Sequence, residues 1–412
     1  MPETMLPERG RAWSEIESGL AAAKQDDTRW KEGRLPVYVF WLDEETERVS
    51  KAAYAMYFTE NGLGAGRAFK SLAQLEADLV AMGLALFHAP QGAGGSFTSG
   101  GTESLFLAMK TARDAKGAAV PNAVVPETAH AAFDKHGHYL GVDVRRVPMR
   151  GDFRADLAAM RAAVDANTVM LVGSAPGYTH GVFDPIPELG ALALERGLWL
   201  HIDACWGGFL SPFARDIGYK VPEFDFSVPG VTSLSADIHK YGMAAKGASL
   251  FLLRDAALKK YQTFRMDRWP RGVYATDTFS GTRPGGAVAA AWAVMQHLGR
   301  EGYRRVARIT METRDAITRG VEAIPGLEVV RPQESSIVLY RSTDAALDIN
   351  AVAESLAARG WFVGRAVNPV AIHLALNPVH ARGVETYLAD LAEVVAGVRA
   401  RGTAGTLDRA TY

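Results

Sequence analysis

The chain has a single cysteine, Cys205, so no internal disulfide can form. That usage fits a reducing compartment. No apolar run approaches the ~20 residues of a membrane-spanning helix. The first thirty residues are polar and charged, without the apolar stretch of a signal peptide. The expectation is a cytoplasmic protein without a membrane anchor. The formal net charge is only −1, which leaves no basic field for nucleic acid or an anionic membrane. Aromatic residues are scattered rather than interleaved with arginine, which argues further against nucleic acid. Metal motifs are missing too: there is no H-E-x-x-H and no paired-cysteine pattern, so no metal is expected. There is no P-loop. The esterase elbow G-x-S-x-G is also absent, because Gly94-Gly95-Ser96-Phe97-Thr98 lacks the closing glycine.

What the chain does have is length, an ordinary apolar content and many glycines. Its 412 residues, 48% apolar and 22% charged, suit a soluble globular protein with one large and one smaller domain. Helical spacing predicts helices over 11–25, 44–57, 72–86 and 102–116, with a glycine-rich turn over 92–101. From about 122 to 255, short apolar runs (123–126, 142–147, 169–173, 199–202, 233–235, 249–253) alternate with helical stretches (129–140, 154–165, 187–196). Alternation of this kind predicts a mostly parallel sheet flanked by helices. Helices 286–299 and 302–320 lead into a tail with strands over 327–331, 335–341, 361–363 and 370–375 and helices over 348–359 and 382–400. The expected division is an N-terminal helical segment (1–62), a large domain (63–295) and a small C-terminal α+β domain (296–412).

Lys240 is the leading candidate for chemistry. It follows a short apolar strand in Ser-Ala-Asp-Ile-His-Lys-Tyr-Gly (235–242). Most lysines are surface groups; a reactive one needs desolvation or neighbouring cations, which His239 and Lys246 can supply. Asp203 closes the run Leu198–Ile202 and so lies at the carboxyl edge of a buried strand, where open α/β sheets bind ligands. The plainer alternative is an aspartate capping a turn. Thr98-Ser99-Gly100-Gly101-Thr102-Glu103-Ser104 is a glycine turn at a helix start. Free amides and the helix dipole there suit a phosphate, although an ordinary cap reads the same way. Amine, acid and anion cradle are the three groups that pyridoxal phosphate requires. His130 opens a helix where an imidazole can stack on a ring, or simply cap. The second glycine turn, Ser280-Gly281-Thr282-Arg283-Pro284-Gly285, can reach a phosphate across a dimer interface or be a loop. Cys205 is either a small core residue or part of the site.

Taken together, these segments resemble the group II pyridoxal-phosphate decarboxylase family, and within it the sphingosine-1-phosphate lyase branch. The shared pieces are 98–104, His-Ala-Ala-Phe-Asp-Lys (130–135), His-Gly-Val-Phe-Asp-Pro-Ile-Pro-Glu (180–188), His-Ile-Asp-Ala-Cys-Trp-Gly-Gly-Phe (201–209) and Gly-Val-Thr-Ser-Leu-Ser-Ala-Asp-Ile-His-Lys-Tyr-Gly (230–242). Ala-Lys-Gly-Ala-Ser-Leu (245–250) and Gly-Thr-Arg-Pro-Gly-Gly (281–286) extend them. The resemblance spans roughly residues 50–400. It implies the fold-type I, aspartate-aminotransferase-like architecture. That fold has a mostly parallel seven-stranded sheet, a small C-terminal α+β domain, and a homodimer with shared active sites.

By that resemblance Lys240 is the lysine that carries the cofactor, Asp203 the partner of the ring nitrogen and His130 the stacking histidine. Gly100, Gly101, Thr102 and His239 would contact the cofactor phosphate. Ser280, Gly281, Thr282 and Arg283 would come from the second subunit. Asn61, Cys205 and Lys246 would line the substrate pocket, with Lys246 meeting a substrate phosphate. The sequence departs from the lyase pattern where Gly64 stands for a phosphate-binding histidine, and where Met243 and Ala245 replace a tyrosine and a proline. Eukaryotic lyases also carry a membrane anchor that is not expected here. Arg365 is an added arginine that can pair with a carboxylate. The expected activity is therefore a carbon–carbon lyase acting on a small-molecule amine, a 2-amino-3-hydroxy compound. Amino-acid α-decarboxylation is the alternative, with Arg365 or Arg382 as the carboxylate binder. A transaminase and a non-catalytic relative fit the motifs less well.

Overall fold

The structure, a computed structural model, describes residues 6–402 together with 404 and 405. The N-terminal part holds α1 (Trp13–Ala23), α2 (Glu44–Met56) and α3 (Lys70–Leu86). Then come β1 (Gly94–Thr98), α4 (Gly101–Lys116), β2 (Asn122–Pro126), α5 (Ala132–Leu140), β3 (Asp143–Val147), α6 (Leu157–Ala163) and β4 (Thr168–Ser174). The run continues with α7 (Ile186–Arg196), β5 (Trp199–Asp203), α8 (Ser211–Asp216), β6 (Val231–Ala236) and β7 (Ser249–Leu253). The short α9 (Lys259–Gln262) precedes a hairpin, β8 (Phe264–Trp269) and β9 (Gly272–Thr276), and the long α10 (Gly285–Glu322). The chain closes with β10 (Leu327–Val329), β11 (Ile337–Ser342), α11 (Ile349–Ala358), β12 (Gly364–Val367), β13 (Val370–Ala375) and α12 (Val384–Arg401).

Local chemistry sets these limits. The Asp43 carboxylate accepts from the Thr46 amide at 2.8 Å and so starts α2. Gly141 and Gly197 close α5 and α7 in the left-handed conformation, at φ 65° and 60°, and turn the chain into the next strand.

The large sheet has the order β1-β7-β6-β5-β4-β2-β3. Strands β6, β5, β4, β2 and β3 are parallel neighbours, and β7 runs against both β6 and β1. Successive side chains feed opposite core layers, as a pleated strand requires. Val124, Leu171, Leu200, Ile202, Leu250 and Leu252 pack with α7 residues Ile186 and Leu189. Val125, Met170, Val172, Trp199 and Phe251 pack with Leu105 of α4 and Phe133 of α5. Burial on both faces explains why these strands read as continuous apolar runs. It also fixes a direction: His201 and Asp203 alternate with Leu200 and Ile202, so they share the face of Trp199, beneath α4 and α5.

The small sheet has the order β10-β11-β13-β12, all antiparallel. α11 and α12 pack against it around a second core that includes Ile317, Tyr340, Leu356 and Leu391. Helix α10 runs between the two cores. Its residues up to Met311 pack in the large core and those from Ile317 in the small one. Gly299, at φ 52° and ψ −172°, breaks α10 into two stretches, matching the two helices read from the sequence.

Three details differ from the sequence reading. The expected turn over 92–101 contains β1, an edge strand paired to β7. The strand expected at 361–363 lies at 364–367. The β8–β9 hairpin has no counterpart in the sequence reading, and every residue of β8 is exposed. Among the described residues, no helix is long and apolar enough to cross a membrane.

Candidate active site

The parallel strands align their carboxyl ends. Ser174 of β4 registers with Asp203 of β5, and Asp203 with Ser235 of β6. Asp203 therefore sits at the ligand-binding edge. Its Oδ1 accepts from the Cys205 amide at 3.0 Å, which folds the chain after β5 back over the edge. Behind it lies a buried polar chain. The His201 ring bonds to Ser233 Oγ at 2.8 Å and to Ser235 Oγ at 3.2 Å, and Cys205 Sγ donates to Ser235 Oγ at 3.2 Å. Burial pushes His201 down to about 4 and raises the Cys205 thiol well above its ordinary value. Both are neutral positioning groups near pH 7.

After β6 the chain tightens into Asp237-Ile238-His239-Lys240-Tyr241. The Lys240 amide donates to Asp237 O at 3.3 Å and the Met243 amide to Lys240 O at 2.9 Å. Tyr241 is fully buried and donates to Leu376 O at 2.5 Å, fastening this turn to the chain just after β13. Lys240 Nζ lies 3.0 Å from Asp237 Oδ2 and 5.6 Å above the Trp206 ring. Burial alone would lower the amine; the charge of Asp237, helped by Asp203, outweighs it and raises Lys240 above the ordinary lysine value. For His239, burial is the larger influence and holds the ring down at about 4.

The glycine turn between β1 and α4 packs onto this segment. A Cβ on Gly101 would lie 2.9 Å from both Asp237 Oδ2 and Cys205 Sγ, and one on Gly100 would lie 3.4 Å from His239 Cε1. At Gly101 only a residue without a Cβ lets the start of α4 come this close. The buried Glu103 holds the turn: its carboxylate accepts from the Ser99 amide and Ser99 Oγ, both at 2.6 Å, and from the Phe279 amide at 2.8 Å. Thr102 is the second residue of α4.

His130, Asp203, Cys205, His239, Lys240 and Lys246 line one cavity of about 260 Å³. Burial holds His130 below the ordinary histidine value, against the pull of Asp203, so its ring is neutral at pH 7. Lys246 donates to His239 O at 3.1 Å and lies 4.9 Å over the Phe40 ring. Burial, then the nearby charge of Lys240, lowers Lys246 to about 8. Tyr38, Phe40, Tyr178 and Trp206 complete the walls. A flat ring fits this arrangement, with a carboxylate at one end, an amine at the side and an imidazole in the wall; Gly100, Gly101 and Thr102 do not line the cavity, but the glycine turn packs against Cys205 and His239, which do.

Not every candidate reaches this cavity. Arg365 lines an adjoining, largely apolar cavity of about 620 Å³ that shares Val37, Tyr38, His130 and Tyr178 with the first. Arg382 lines neither cavity; it stacks on Trp41 at 4.3 Å and pairs with Glu44, so it is not placed to bind a substrate carboxylate. Asn61 and the 280–283 loop meet each other instead. Asn61 Nδ2 donates to Thr282 Oγ1 at 3.2 Å, and the Gly62 amide donates to Arg283 O at 2.8 Å. Gly281 and Arg283 line a separate cavity of about 640 Å³ beside Gly62, which shares no residue with the one holding Lys240; Arg283 also pairs with Glu76. Ser280 lines none of these cavities, and its carbonyl accepts from Thr278 Oγ1 at 2.8 Å.

Sequence reasoning missed Asp237, Glu103, Tyr178 and the Tyr38–Phe40 wall. The first two are carboxylates inside the segments 235–242 and 98–104. Tyr38 and Phe40 come from a segment without any motif, so nothing in the sequence flagged them.

A family model described as the pyridoxal-dependent decarboxylase conserved domain matches residues 70–343. The chain is 40% identical over 409 residues to a sphingosine-1-phosphate lyase of Oryza sativa subsp. japonica, covering 96% of this chain and 75% of the rice protein. It superposes with a TM-score of 0.90 on a solved sphingosine-1-phosphate lyase of Burkholderia pseudomallei K96243, at 36% identity, covering 96% of this chain and 94% of that one. A glutamate decarboxylase of Lactobacillus brevis CGMCC 1306 shares the fold, with a TM-score of 0.86 at 19% identity, covering 97% of this chain and 96% of that one.

Proposed function

The chain belongs to the pyridoxal-dependent decarboxylase family, and from that premise we propose that it is a lyase cleaving a phosphorylated 2-amino-3-hydroxy compound such as sphingosine 1-phosphate. Its cofactor is pyridoxal 5′-phosphate. The observation that carries the reading is the meeting of Lys240, Asp203 and His130 in one cavity, beside a glycine turn whose Gly101 admits no Cβ. When bound, the cofactor supplies a sink for the electron pair released at the substrate's amine carbon.

The residues divide the remaining work. Asp203 would hold a proton on the ring nitrogen, from a carboxylate fixed by the Cys205 amide. His130 would stack on the ring, and its neutral imidazole adds no charge there. The start of α4 at Gly100–Thr102, with His239, would take the cofactor phosphate. Lys246 would meet an anionic substrate group, and Cys205 would line the pocket. Cleavage takes the proton from the C3 hydroxyl, breaks C2–C3, releases an aldehyde and returns a proton to C2. The Lys240 amine would return that proton as general acid.

The same reading makes the working unit a homodimer. Phe264, Met266, Trp269 and Phe279 are all more than 40% exposed on and after the β8–β9 hairpin, and the 280–283 loop adjoins them. A second copy covering this face would bring Ser280–Arg283 to its own cofactor site. The packing around α10 supports a division into a large cofactor domain and a small C-terminal domain, preceded by the N-terminal helical segment. The single cysteine fits work in the cytoplasm.

The test is a product assay on purified protein with cofactor. A long-chain aldehyde and a phosphorylated amine from sphingosine 1-phosphate support the lyase. Carbon dioxide from a panel of amino acids, with no aldehyde, would replace it with the decarboxylase.

A further inference from the structure

Asp237 has no role in the chemistry above, yet it is the group nearest to Lys240. Its side chain is 2% exposed, and Oδ2 lies 3.0 Å from Lys240 Nζ and 3.5 Å from His239 Nε2. On its other side is the glycine turn, since a Cβ on Gly101 would meet both of its oxygens, at 2.9 and 3.1 Å. The carboxylate thus sits between the start of α4 and the amine. The positive end of the helix dipole favours a negative charge there.

The groups that act on it from the surrounding elements are few. Lys240 and His239 come from its own segment, Ser249 from β7, Cys205 from the turn after β5, His130 from the start of α5, and Lys246 from the loop before β7. Burial would raise Asp237, but the charge of Lys240, 3.0 Å away, outweighs that and holds it below the ordinary carboxylate value. A buried charge left alone is costly, so carboxylate and ammonium sustain each other.

We propose that Asp237 is a positioning residue, a counter-ion that holds the Lys240 nitrogen against the glycine turn and keeps it cationic before and after it joins the cofactor. The proposal rests on the reading of Lys240 as the cofactor's lysine. Capture balances without a net proton. The nitrogen bonds to the aldehyde carbon, two of the three ammonium protons leave with the aldehyde oxygen as water, and the third stays on nitrogen. The charge facing Asp237 is +1 on both sides of the step. The nitrogen needs its lone pair to attack, and the Asp237 carboxylate is the acceptor beside it for the proton it sheds.

The test uses cofactor-free protein. Acetic anhydride labelling is followed by mass spectrometry, with the exposed Lys220 as internal standard. In the wild type, Lys240 should label with a midpoint above that of Lys220. In Asp237→Asn, Lys240 should label about tenfold faster or more at pH 8, because one unit off an amine's pKa multiplies the free amine tenfold. Asp237→Glu should restore protection. In the cofactor-loaded protein, the pH at which the visible band changes should fall in Asp237→Asn and return in Asp237→Glu. A wild-type midpoint at or below that of Lys220 overturns the proposal even if no variant folds, and so does an Asp237→Asn profile that superimposes on the wild type. If Lys240→Ala still gains the visible band, the reading of Lys240 itself fails, whatever the labelling shows.

Discussion

Adding one methyl group at Gly101 tests the cofactor cradle directly. In Gly101→Ala the new Cβ would lie 2.9 Å from Asp237 Oδ2, 2.9 Å from Cys205 Sγ and 3.1 Å from Asp237 Oδ1. Contacts that short force the buried carboxylate and thiol to move, and the carboxylate carries Lys240 with it. Overfilling a packed site typically costs about 1–3 kcal/mol. If that strain falls on the seat of the cofactor phosphate, affinity for pyridoxal phosphate should drop about 5- to 150-fold, at 1.4 kcal/mol per factor of ten. Helix propensity works the other way, since alanine in a helix is about 1 kcal/mol better than glycine. Without a steric conflict the variant should therefore be at least as stable as the wild type. Titrating cofactor-free protein with pyridoxal phosphate, followed by visible absorbance, measures the affinity. Gly151→Ala is the control, because nothing lies within 4 Å of the Cβ it would add. A Gly101→Ala affinity within about twofold of the control would refute the cradle.

Other consequences can be read alongside it. Asp203→Asn should keep the cofactor bound but lower kcat about 10- to 150-fold, the worth of one charge-assisted hydrogen bond of about 1.5–3 kcal/mol; steady-state kinetics with the cofactor band as loading control decides. Glu103→Ala leaves the Ser99 and Phe279 amides without their charged acceptor, so it should cost at least about 2 kcal/mol and lower the melting temperature. Acid should weaken the fold through His201 and His373, whose folded values burial pushes to about 4 from an ordinary 6.5. Their neutral forms add stability that is complete above about pH 6.5 and is lost as pH falls toward 4. Each costs about 2 kcal/mol by pH 5, and a urea midpoint equal at pH 7 and pH 5 would contradict this.

Which parts of this architecture show in the sequence follows from physics. Strands buried on both faces read as apolar runs, so β2, β4, β5 and β7 were plain, and Asp203 stood out at the end of one. Strand β1 hid because Gly94, Gly95 and Ser96 are poor strand formers. The structure shows why they are there: a Cβ on Gly95 would lie 2.7 Å from Phe251 O, so the edge strand approaches β7 only without one. The β8–β9 hairpin did carry a signal, the alternation Phe264-Arg265-Met266 before the Pro270-Arg271 turn. Every residue of β8 is exposed, so the hairpin adds nothing to the core pattern that marks the other strands. That Lys240, His239, Asp203 and His130 line one cavity is legible in the sequence because each lies at or a few residues after a strand end. The relation of Asn61 to the 280–283 loop was not, since it depends on a contact across more than two hundred residues. Asp237 lies inside the segment 235–242, but its importance comes from a 3.0 Å approach to Lys240 that spacing alone does not express.

The central claim is the attachment point of the cofactor. Loading the protein with pyridoxal phosphate, reducing it with borohydride and mapping the modified peptide by mass spectrometry reads that point directly. The pyridoxyl mass should sit on Lys240 and vanish in Lys240→Ala. Finding it on another lysine, or on none while the protein still turns over substrate, would contradict the account.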